Sequence, residues 1–209
     1  MKQSHGNEAE LFWEAVYRGR PPPSALRPSP VLVELVGRLT TSGTALDLGC
    51  ARGDDALWLA ARGWKVTGVD VAETALAVGR ERAHAEGLTI DFQQHDLART
   101  FPEGRFDLVS AQYLQTPIEF PRAGVLGRAA AAVAPGGLLL VVEHASHRPW
   151  STMGDPHAVF PPAEELLVAM TIDPDAWTTT LLARREREAT GPKGENAIVV
   201  DNIAALRRK

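Results

Sequence analysis

TALDLGCARGDD, the sequence of residues 44–55, decides the fold. It contains, in order, a short apolar run, an acid, a turn of small residues and the start of a helix. Residues 45–48 suit a buried parallel strand. Gly49, Ala51 and Gly53 let the backbone turn tightly and approach a ligand closely. The stretch therefore predicts a nucleotide-cofactor loop between a strand and a helix.

Asp47 indicates which cofactor the loop suits. A carboxylate beside the loop would weaken the binding of a pyrophosphate, whereas it would strengthen the binding of a ligand that carries an ammonium and a sulfonium. S-adenosylmethionine carries both cations. We therefore expect S-adenosylmethionine as the cofactor.

With this loop the chain resembles class I S-adenosylmethionine-dependent methyltransferases of the small-molecule type. Their acid-x-Gly-x-Gly-x-Gly signature is matched except at the middle glycine, where Ala51 adds one methyl group. Three further landmarks of that family follow in order, each a short strand that ends at or near polar residues: Trp64–Asp70, Ile90–Leu97 and Arg105–Tyr113. A helix and the turn Ala134–Gly137 then lead into an apolar strand over 138–142.

The landmarks also predict where the cofactor is held. Asp70 lies about twenty residues beyond the glycine turn, where dinucleotide folds place a ribose-binding carboxylate. The resemblance implies that Asp96 faces the adenine amine. The complete set of predicted cofactor contacts is Asp47, Gly49, Cys50, Ala51, Arg52, Gly53, Asp70, Val71, Asp96, Leu97, Ala111 and Gln112.

Periodicity predicts alternating helices and strands. The helical patterns are 8–17, 30–39, 55–61, 72–86, 121–133 and 162–170, with Gly63 and Gly87 ending two of them. Asp54 or Asp55 is predicted to cap the third helix. The last segment differs, since 177–188 and 197–206 flank a Gly-Pro turn and predict an antiparallel hairpin. We expect an α/β fold: a Rossmann-like, seven-stranded, mostly parallel sheet with helices on both faces and a C-terminal antiparallel hairpin.

Composition fits a single domain. The 209 residues are 44% hydrophobic, with a formal net charge of −4. We expect one methyltransferase domain, made of an N-terminal helical cover (1–40), a cofactor-binding core (44–143), a substrate-side loop and helix (144–176) and the hairpin (177–209).

No membrane span or secretion signal is expected, and the basic residues are too scattered for a nucleic-acid surface. Since Cys50 is the only cysteine, a reducing cytoplasm is the simplest setting.

The acceptor is expected to be a small molecule. Phe12, Trp13 and Tyr17 resemble the aromatic N-terminal cover of thiopurine and tellurite-resistance methyltransferases; the alternative is an aromatic face packed on the helices of the sheet. Ser-Ala-Gln-Tyr after the fourth strand lacks the prolines of DNA amino-methylating enzymes. The predicted substrate contacts are Trp13, Tyr17, Tyr113, Trp150 and His157.

The segment 143–157 holds three of the six histidines. His144 or His147 could act as a general base, which is needed only if the acceptor must lose a proton. A metal site of His144, His147, Asp155 and His157 is the second interpretation, but the spacing matches no ligand motif, and no metal is predicted. Solvated or hydrogen-bonded loop histidines are the third.

Two other functions share parts of this pattern. A nicotinamide-dependent oxidoreductase would use the same kind of sheet, but Gly49–Gly53 misses the G-x-G-x-x-G spacing. A protein that binds S-adenosylmethionine without transferring the methyl group is the second, because binding residues do not establish turnover. The pattern favours an enzyme that transfers the methyl group to its acceptor by in-line displacement.

Overall fold

The computed structural model describes residues 8–21, 25–37, 39, 42–151, 159–191 and 193–209. Its helices are α1 (Glu8–Arg18), α2 (Pro30–Val36), α3 (Asp54–Ala60), α4 (Glu73–Ala85), α5 (Arg122–Ala131) and α6 (Glu164–Ala169). Its strands are β1 (Thr44–Leu48), β2 (Lys65–Asp70), β3 (Ile90–Gln94), β4 (Phe106–Gln112), β5 (Val133–His144), β6 (Trp177–Thr190) and β7 (Asn196–Arg208).

All seven strands form one sheet in the order β3-β2-β1-β4-β5-β7-β6. β1 to β5 pair in parallel, whereas β7 pairs antiparallel with both β5 and β6. The strand order reverses between β1 and β4, and ligands of such sheets bind outside the carboxyl ends of the strands at this point. The fold confirms the predicted mostly parallel sheet and its C-terminal hairpin.

Helices cover both faces because side chains alternate along each strand. On β5, Leu138, Leu140 and Val142 pack in the same buried cluster as residues of α2, α3 and α4. The intervening Leu139 and Val141 pack on the opposite face with residues of α5 and α6. Among the described helices, none combines the length and the apolar character needed to cross a bilayer.

The predicted elements are present, with corrections at their ends. α3 begins at Asp54, and its N-cap is Gly53 in the left-handed conformation, so neither Asp54 nor Asp55 caps the helix. β3 ends at Gln94, which places Asp96 in the following loop rather than on the strand. The strand predicted over 138–142 is longer, since β5 already begins at Val133. Gly63 and Gly87 follow α3 and α4 with φ of +83° and +66°, as expected for residues that end helices.

The ring of Phe92 fixes how β3 and α4 meet the loop before α3. A Cβ atom on Gly53 or on Gly79 would lie 2.9 Å from Phe92 Cζ, and one on Gly68 would lie 3.1 Å from the ring. The ring therefore fits only because these three residues are glycines and have no side chain. These glycines set the distance between the cofactor turn and the layer beneath it.

Two glycine-to-alanine substitutions in helices should have opposite effects. Gly79→Ala should lower the free energy of unfolding by about 1–2 kcal/mol, because crowding against Phe92 outweighs the better helix propensity of alanine. Gly127→Ala in α5 meets nothing within 4 Å, so it should raise that free energy by about 0.5–1 kcal/mol. Urea unfolding of both variants measures the difference, and shifts of the same sign would contradict this account of the packing.

Candidate active site

The turn after β1 alternates between ordinary and left-handed backbone. φ is +70° at Gly49, +51° at Ala51 and +80° at Gly53. Glycine adopts this conformation freely, whereas alanine does so at a cost of roughly 1–2 kcal/mol. Cys50 N–H donates to Val69 O at 2.9 Å and ties the turn to β2. The turn therefore keeps its glycine-type shape although Ala51 stands at the middle position.

Asp47 places a buried carboxylate next to this turn. The residue is 3% exposed, and its Oδ2 atom is buried without a hydrogen-bond partner among the described residues. Burial raises the pKa of Asp47 well above its usual range, and the charges of Asp55 and Asp70 act in the same direction. A cation at this position would offset the cost of the buried charge. The site thus fits the ammonium-bearing end of S-adenosylmethionine.

Asp55 and Gln112 extend the polar cluster. Gln112 Nε2 donates to Asp55 Oδ2 at 2.7 Å and to Ser110 Oγ at 3.1 Å. Gln112 Oε1 is buried with no hydrogen-bond partner in the part of the chain that is described. Burial raises the pKa of Asp55 to about 6, assisted by the charge of Asp54 and opposed by the hydrogen bond from Ser29 N–H. The sequence interpretation gave Asp55 only a capping role and missed its place in this cluster.

Asp70 joins the end of β2 to the cofactor turn. Its Oδ2 accepts the N–H of Ala51 at 2.9 Å, and its Oδ1 accepts the N–H of Ala72 at 3.0 Å. Burial raises its pKa despite these hydrogen bonds. Asp70 therefore fixes the shape of the turn through its side chain. A carboxylate oxygen accepts more than one hydrogen bond, so the predicted ribose contact is compatible with this role.

Asp96 lies at the other end of the site, in the loop after β3. Its Oδ1 accepts Ala98 N–H at 3.0 Å, and its Oδ2 lies 3.3 Å from Arg99 Nε. Its neighbour His95 contacts Gln93 Oε1 and Thr100 Oγ1, each at 3.0 Å. His95 was missed by the sequence interpretation, although it directly precedes the predicted adenine contact.

A cavity runs along the carboxyl edge of the sheet beneath α1. It encloses about 640 Å³ outside the protein atoms, part of it open to solvent. Its wall includes Gly49, Asp70, Val71, Asp96 and Leu97 from the predicted cofactor set, and Trp13, Tyr17 and Tyr113 from the predicted substrate set. Leu114, Gln115, Ile118 and Phe120 also line it and were not predicted. Part of each predicted set therefore lines one cavity.

Helix α1 is held over the cavity by a buried acid. Glu14 Oε1 accepts Thr74 N–H at 3.0 Å, and Glu14 Oε2 accepts the Thr74 hydroxyl. Thr74 lies in the first turn of α4, where the helix dipole favours a negative charge. Arg18 completes the contact at 3.1 Å from Glu14 Oε2. Trp13 and Tyr17 thus reach the cavity because the helix is fastened to α4.

Arg52 fastens the other end of α1. Its guanidinium donates to Tyr17 O at 2.9 Å, to Arg20 O at 2.6 Å and to Pro21 O. Tyr17 O belongs to the last turn of α1, where helix carbonyls lack intrahelical partners, and the other two carbonyls follow the helix. The side chain of Arg52 therefore holds the cover.

The remaining predicted residues are dispersed. Cys50 and Ala111 are buried beside the turn. Trp150 lies against Gly191 beyond the end of β6 and is not part of the cavity wall. His157 and Asp155 lie outside the described residues. His147 is exposed and meets Phe160 edge-on at 4.9 Å between ring centroids.

His144 lies behind the cavity wall in a polar cluster. Its ring stacks on Tyr113 with centroids 4.3 Å apart, and Gln115 hydrogen-bonds both its N–H, at 2.8 Å, and its carbonyl, at 3.2 Å. Burial lowers the pKa of His144, the charges of Arg148 and Arg187 lower it further, and Asp201 opposes the shift. Asp201 and Arg187 lie on the hairpin, which the sequence interpretation treated only as an architectural element.

Metal-binding clusters are not found where the chain is described: no group of three or more histidine, cysteine, aspartate or glutamate side chains there could hold a metal ion. His144 ends β5 and stacks on Tyr113, whereas His147 lies in the following loop against Phe160.

Comparison with known proteins identifies relatives of the chain. Residues 45–137 match the methyltransferase domain family. A 2-heptyl-1-hydroxyquinolin-4(1H)-one methyltransferase of Mycobacteroides abscessus is 33% identical over 170 residues, which cover 75% of this chain and 73% of that protein. A demethylmenaquinone methyltransferase of Thermus thermophilus is 40% identical over 102 residues, which cover 47% of this chain and 46% of the relative. The alignment thus spans less than half of the Thermus protein.

Solved structures show the same architecture. A structure concerned with the conversion of a disulfide bond into a thioacetal group during echinomycin biosynthesis matches with a TM-score of 0.76 and 29% identity, over 96% of this chain and 93% of that one. TehB from Haemophilus influenzae matches with a TM-score of 0.67 and 19% identity, over 96% of this chain and 67% of that one. The latter likeness concerns the fold alone.

Asp47→Asn should stabilise the protein without cofactor and weaken cofactor binding. Folding raises the pKa of Asp47, so its contribution to stability declines as pH rises from 3.8 toward the folded-state value. At neutral pH the amide should therefore raise the free energy of unfolding by about 1 kcal/mol or more. Loss of the charged acceptor should weaken binding of S-adenosylhomocysteine by about 1–3 kcal/mol in calorimetry. The exposed Asp91→Asn is the control, and unchanged affinity in Asp47→Asn would contradict the cation site.

Cofactor affinity should also increase with pH. The raised pKa of Asp55, about 6, means that the folded protein still binds a proton at pH 5. A bound cation favours the ionised acid, so affinity should rise about tenfold between about pH 5 and about pH 7. Calorimetry in buffers of different ionisation enthalpy measures the released proton. Asp55→Asn should reduce the pH dependence and leave the part that Asp47 contributes, and a flat wild-type profile would refute the linkage.

Proposed function

We propose that this chain, which belongs to the class I S-adenosylmethionine-dependent methyltransferases, methylates a hydroxyl oxygen. The proposed acceptor is small, planar and largely apolar. The chain is an S-adenosylmethionine-dependent methyltransferase that acts on a small molecule. The acceptor class is inferred from the cavity wall, which carries aromatic side chains from three separate parts of the chain.

The wall of the cavity divides by polarity. Trp13, Tyr17 and Tyr113 present aromatic rings, and Leu114, Ile118 and Phe120 add apolar surface. The acids of the wall are Asp70 at the end of β2 and Asp96 in the loop after β3, and both are predicted cofactor contacts. Flat aromatic surfaces favour a planar ligand, because stacked and edge-on ring contacts add to the burial of apolar area. The apolar part of the wall is therefore the proposed acceptor site.

The names of relatives support this class. The Mycobacteroides abscessus relative is named for a hydroxyquinolinone, and a relative from Marinobacter nauticus, 31% identical over 65% of this chain, is a ubiquinone biosynthesis O-methyltransferase. The first name describes a fused-ring acceptor with a hydroxyl group, and the second specifies transfer to oxygen. Both agree with an apolar cavity that accepts a ring and a hydroxyl.

The residues of the turn are proposed to hold the cofactor. When bound, S-adenosylmethionine supplies a methyl group already activated on its sulfonium. Asp47 would bind the ammonium through its free carboxylate oxygen, while Asp70 would bind the ribose hydroxyls and Asp96 the adenine amine. The backbone of Gly49–Gly53 would approach the ligand closely, since the glycines at 49 and 53 carry no side chain. The chain thereby orients the methyl group toward the acceptor, and such orientation supplies much of the rate.

His144 is the proposed general base. A hydroxyl must lose its proton as its oxygen is methylated, and an imidazole takes up that proton only in its neutral form. Burial lowers the pKa of His144, so the ring is neutral at physiological pH. Its stacking on Tyr113, a residue of the cavity wall, supports this role. His147 is exposed and packs on Phe160, which makes it the weaker candidate.

The proposed cellular location of the enzyme rests on its amino-acid composition. Cys50 is buried and is the only cysteine, so no disulfide forms within the chain. A reducing cytoplasm suits this composition. The net charge of −4 disfavours a nucleic-acid substrate. We retain residues 1–209 as one methyltransferase domain in which the hairpin completes the sheet.

A panel of acceptors tests the proposal. Hydroxyquinolines and phenols should yield S-adenosylhomocysteine and an O-methylated product, whereas simple alkyl thiols and amines should not. With a reactive hydroxyl acceptor, His144→Ala should lower kcat at neutral pH by about 10²- to 10⁴-fold. The exposed His84→Ala is the matched control and should retain the wild-type rate. Turnover confined to thiols or amines would overturn the acceptor class, and a wild-type rate in His144→Ala would overturn the base.

A further inference from the structure

Asp201 is a buried acid on the central strand of the C-terminal antiparallel segment. It is 2% exposed and lies on β7 directly opposite His144 of β5 in the strand register. Opposed residues of antiparallel strands have side chains on the same face of the sheet. The pairing therefore brings a carboxylate to the proposed base although 57 residues separate the two in sequence (201 less 144).

The two carboxylate oxygens of Asp201 have different neighbours. Oδ2 accepts the Tyr113 hydroxyl at 2.8 Å and Arg187 Nε at 2.6 Å. Oδ1 lies 3.5 Å from His144 Nδ1. Both Oδ1 and Nδ1 are buried, and neither has another hydrogen-bond partner among the described residues. Each atom is thus the nearest available partner of the other, and a shift of about half an ångström brings them to ordinary hydrogen-bond distance.

We propose that Asp201 is a positioning residue that keeps the proton of the neutral His144 ring on Nδ1 and leaves Nε2 to accept the proton of the acceptor hydroxyl. This inference rests on the proposed function, in which His144 is the base. The hydrogen bond of one ring nitrogen selects the tautomer of a histidine. An ionised carboxylate can accept hydrogen bonds but cannot donate them. It therefore selects the tautomer that carries hydrogen on the facing ring nitrogen.

Charge around Asp201 keeps it ionised. Burial opposes the charge, but the hydrogen bonds from Arg187 and Tyr113 and the nearby His144 ring outweigh it and hold the pKa of Asp201 below its usual range. The charged groups that face His144 are Asp201 on β7, Arg187 on β6 and Arg148 in the loop after β5. Arg187 and Arg148 keep the resting imidazole neutral, while Asp201 stabilises the imidazolium formed in the reaction.

The proton balance is simple. The proton leaves the acceptor oxygen and binds Nε2, which converts the imidazole into an imidazolium that keeps its Nδ1 proton. Asp201 remains ionised throughout, and the imidazolium returns its proton to solvent after the product leaves. The stacked Tyr113 ring and the two Gln115 hydrogen bonds restrain the imidazole and its backbone. Asp201 thus acts only through His144.

Nitrogen NMR of the full chain, labelled with ¹⁵N-histidine, tests the proposal without an acceptor. The His144 signal is assigned by its loss in His144→Gln. Wild-type protein should show hydrogen on Nδ1 and a bare Nε2 above the pKa of the ring. In Asp201→Asn the Nε2–H form should increase, and the pKa of His144 should fall by about one unit or more because a facing carboxylate is lost. Glu188→Gln, an exposed change of the same charge on β6, should leave both unchanged.

The outcomes separate the two hypotheses. Hydrogen on Nε2 in the wild type, or an unchanged tautomer and pKa in Asp201→Asn, overturns the role of Asp201 whatever the acceptor is. With a hydroxyl acceptor, Asp201→Asn should also lower kcat by about tenfold or more and shift the acidic limb of the pH profile, at unchanged KM for S-adenosylmethionine. If the tautomer is as expected but His144→Ala retains the wild-type rate, His144 is not the base. Asp201 then positions the His144 ring without a part in the reaction. If Asp201→Asn does not fold, the wild-type spectrum alone decides.

Discussion

Burial of the Asp47 carboxylate at the end of β1 is the constraint on which the rest of the site depends. An unpaired charge in a protein interior carries an effective penalty of several kcal/mol. Here Asp55 and Asp70 add to it, because they bring like charge toward the same point. A fold that needed only stability would place an apolar residue there. The position becomes favourable when a cation binds, so the stability of the empty site and the affinity for the cofactor oppose each other.

The cofactor turn and the substrate cover share one set of contacts. Asp70 holds the turn through Ala51 N–H, and Arg52, the next residue, holds the carbonyls at the end of α1. Glu14 fastens the same helix to α4. The aromatic wall of the cavity is therefore carried by a helix whose position depends on the cofactor turn. Changes in the turn will reach the acceptor side through Arg52.

Tyr113 links the parallel and antiparallel parts of the sheet. Its backbone is left-handed, with φ of +54°, which a bulky residue adopts only when its surroundings enforce it. Its ring stacks on His144, and its hydroxyl reaches Asp201 on β7. The hairpin lies beyond residues 45–137, which match the methyltransferase domain family. The part of the chain outside the common domain thus supplies the acid behind the proposed base.

The sequence by itself determined the sheet, the cofactor class and the residues at the strand ends. Alternating strand and helix periods fix the layers, and the acid-and-glycine turn fixes where the sheet meets its ligand. These features are local, since each depends on residues that are neighbours in the chain or share one strand or helix. The apolar wall was also partly predictable, because Trp13 and Tyr17 lie one helical turn apart and Tyr113 follows a strand.

Only the tertiary structure decided the partners of the polar side chains. Tyr113 and Asp201 are 88 residues apart in sequence, Glu14 and Thr74 are 60 apart, and Arg52 is 35 from Tyr17. Such pairs depend on strand register and on how α1 lies over the sheet, and a shift of one residue in register would turn Asp201 away from His144. The sequence also predicted caps at Asp54 and Asp55 that packing replaced, because Ser29 and Arg82 reach these carboxylates from elsewhere in the fold. The local sequence pattern determines which side chains lie at the carboxyl edge of the sheet. Burial and strand register determine which of those side chains contact each other.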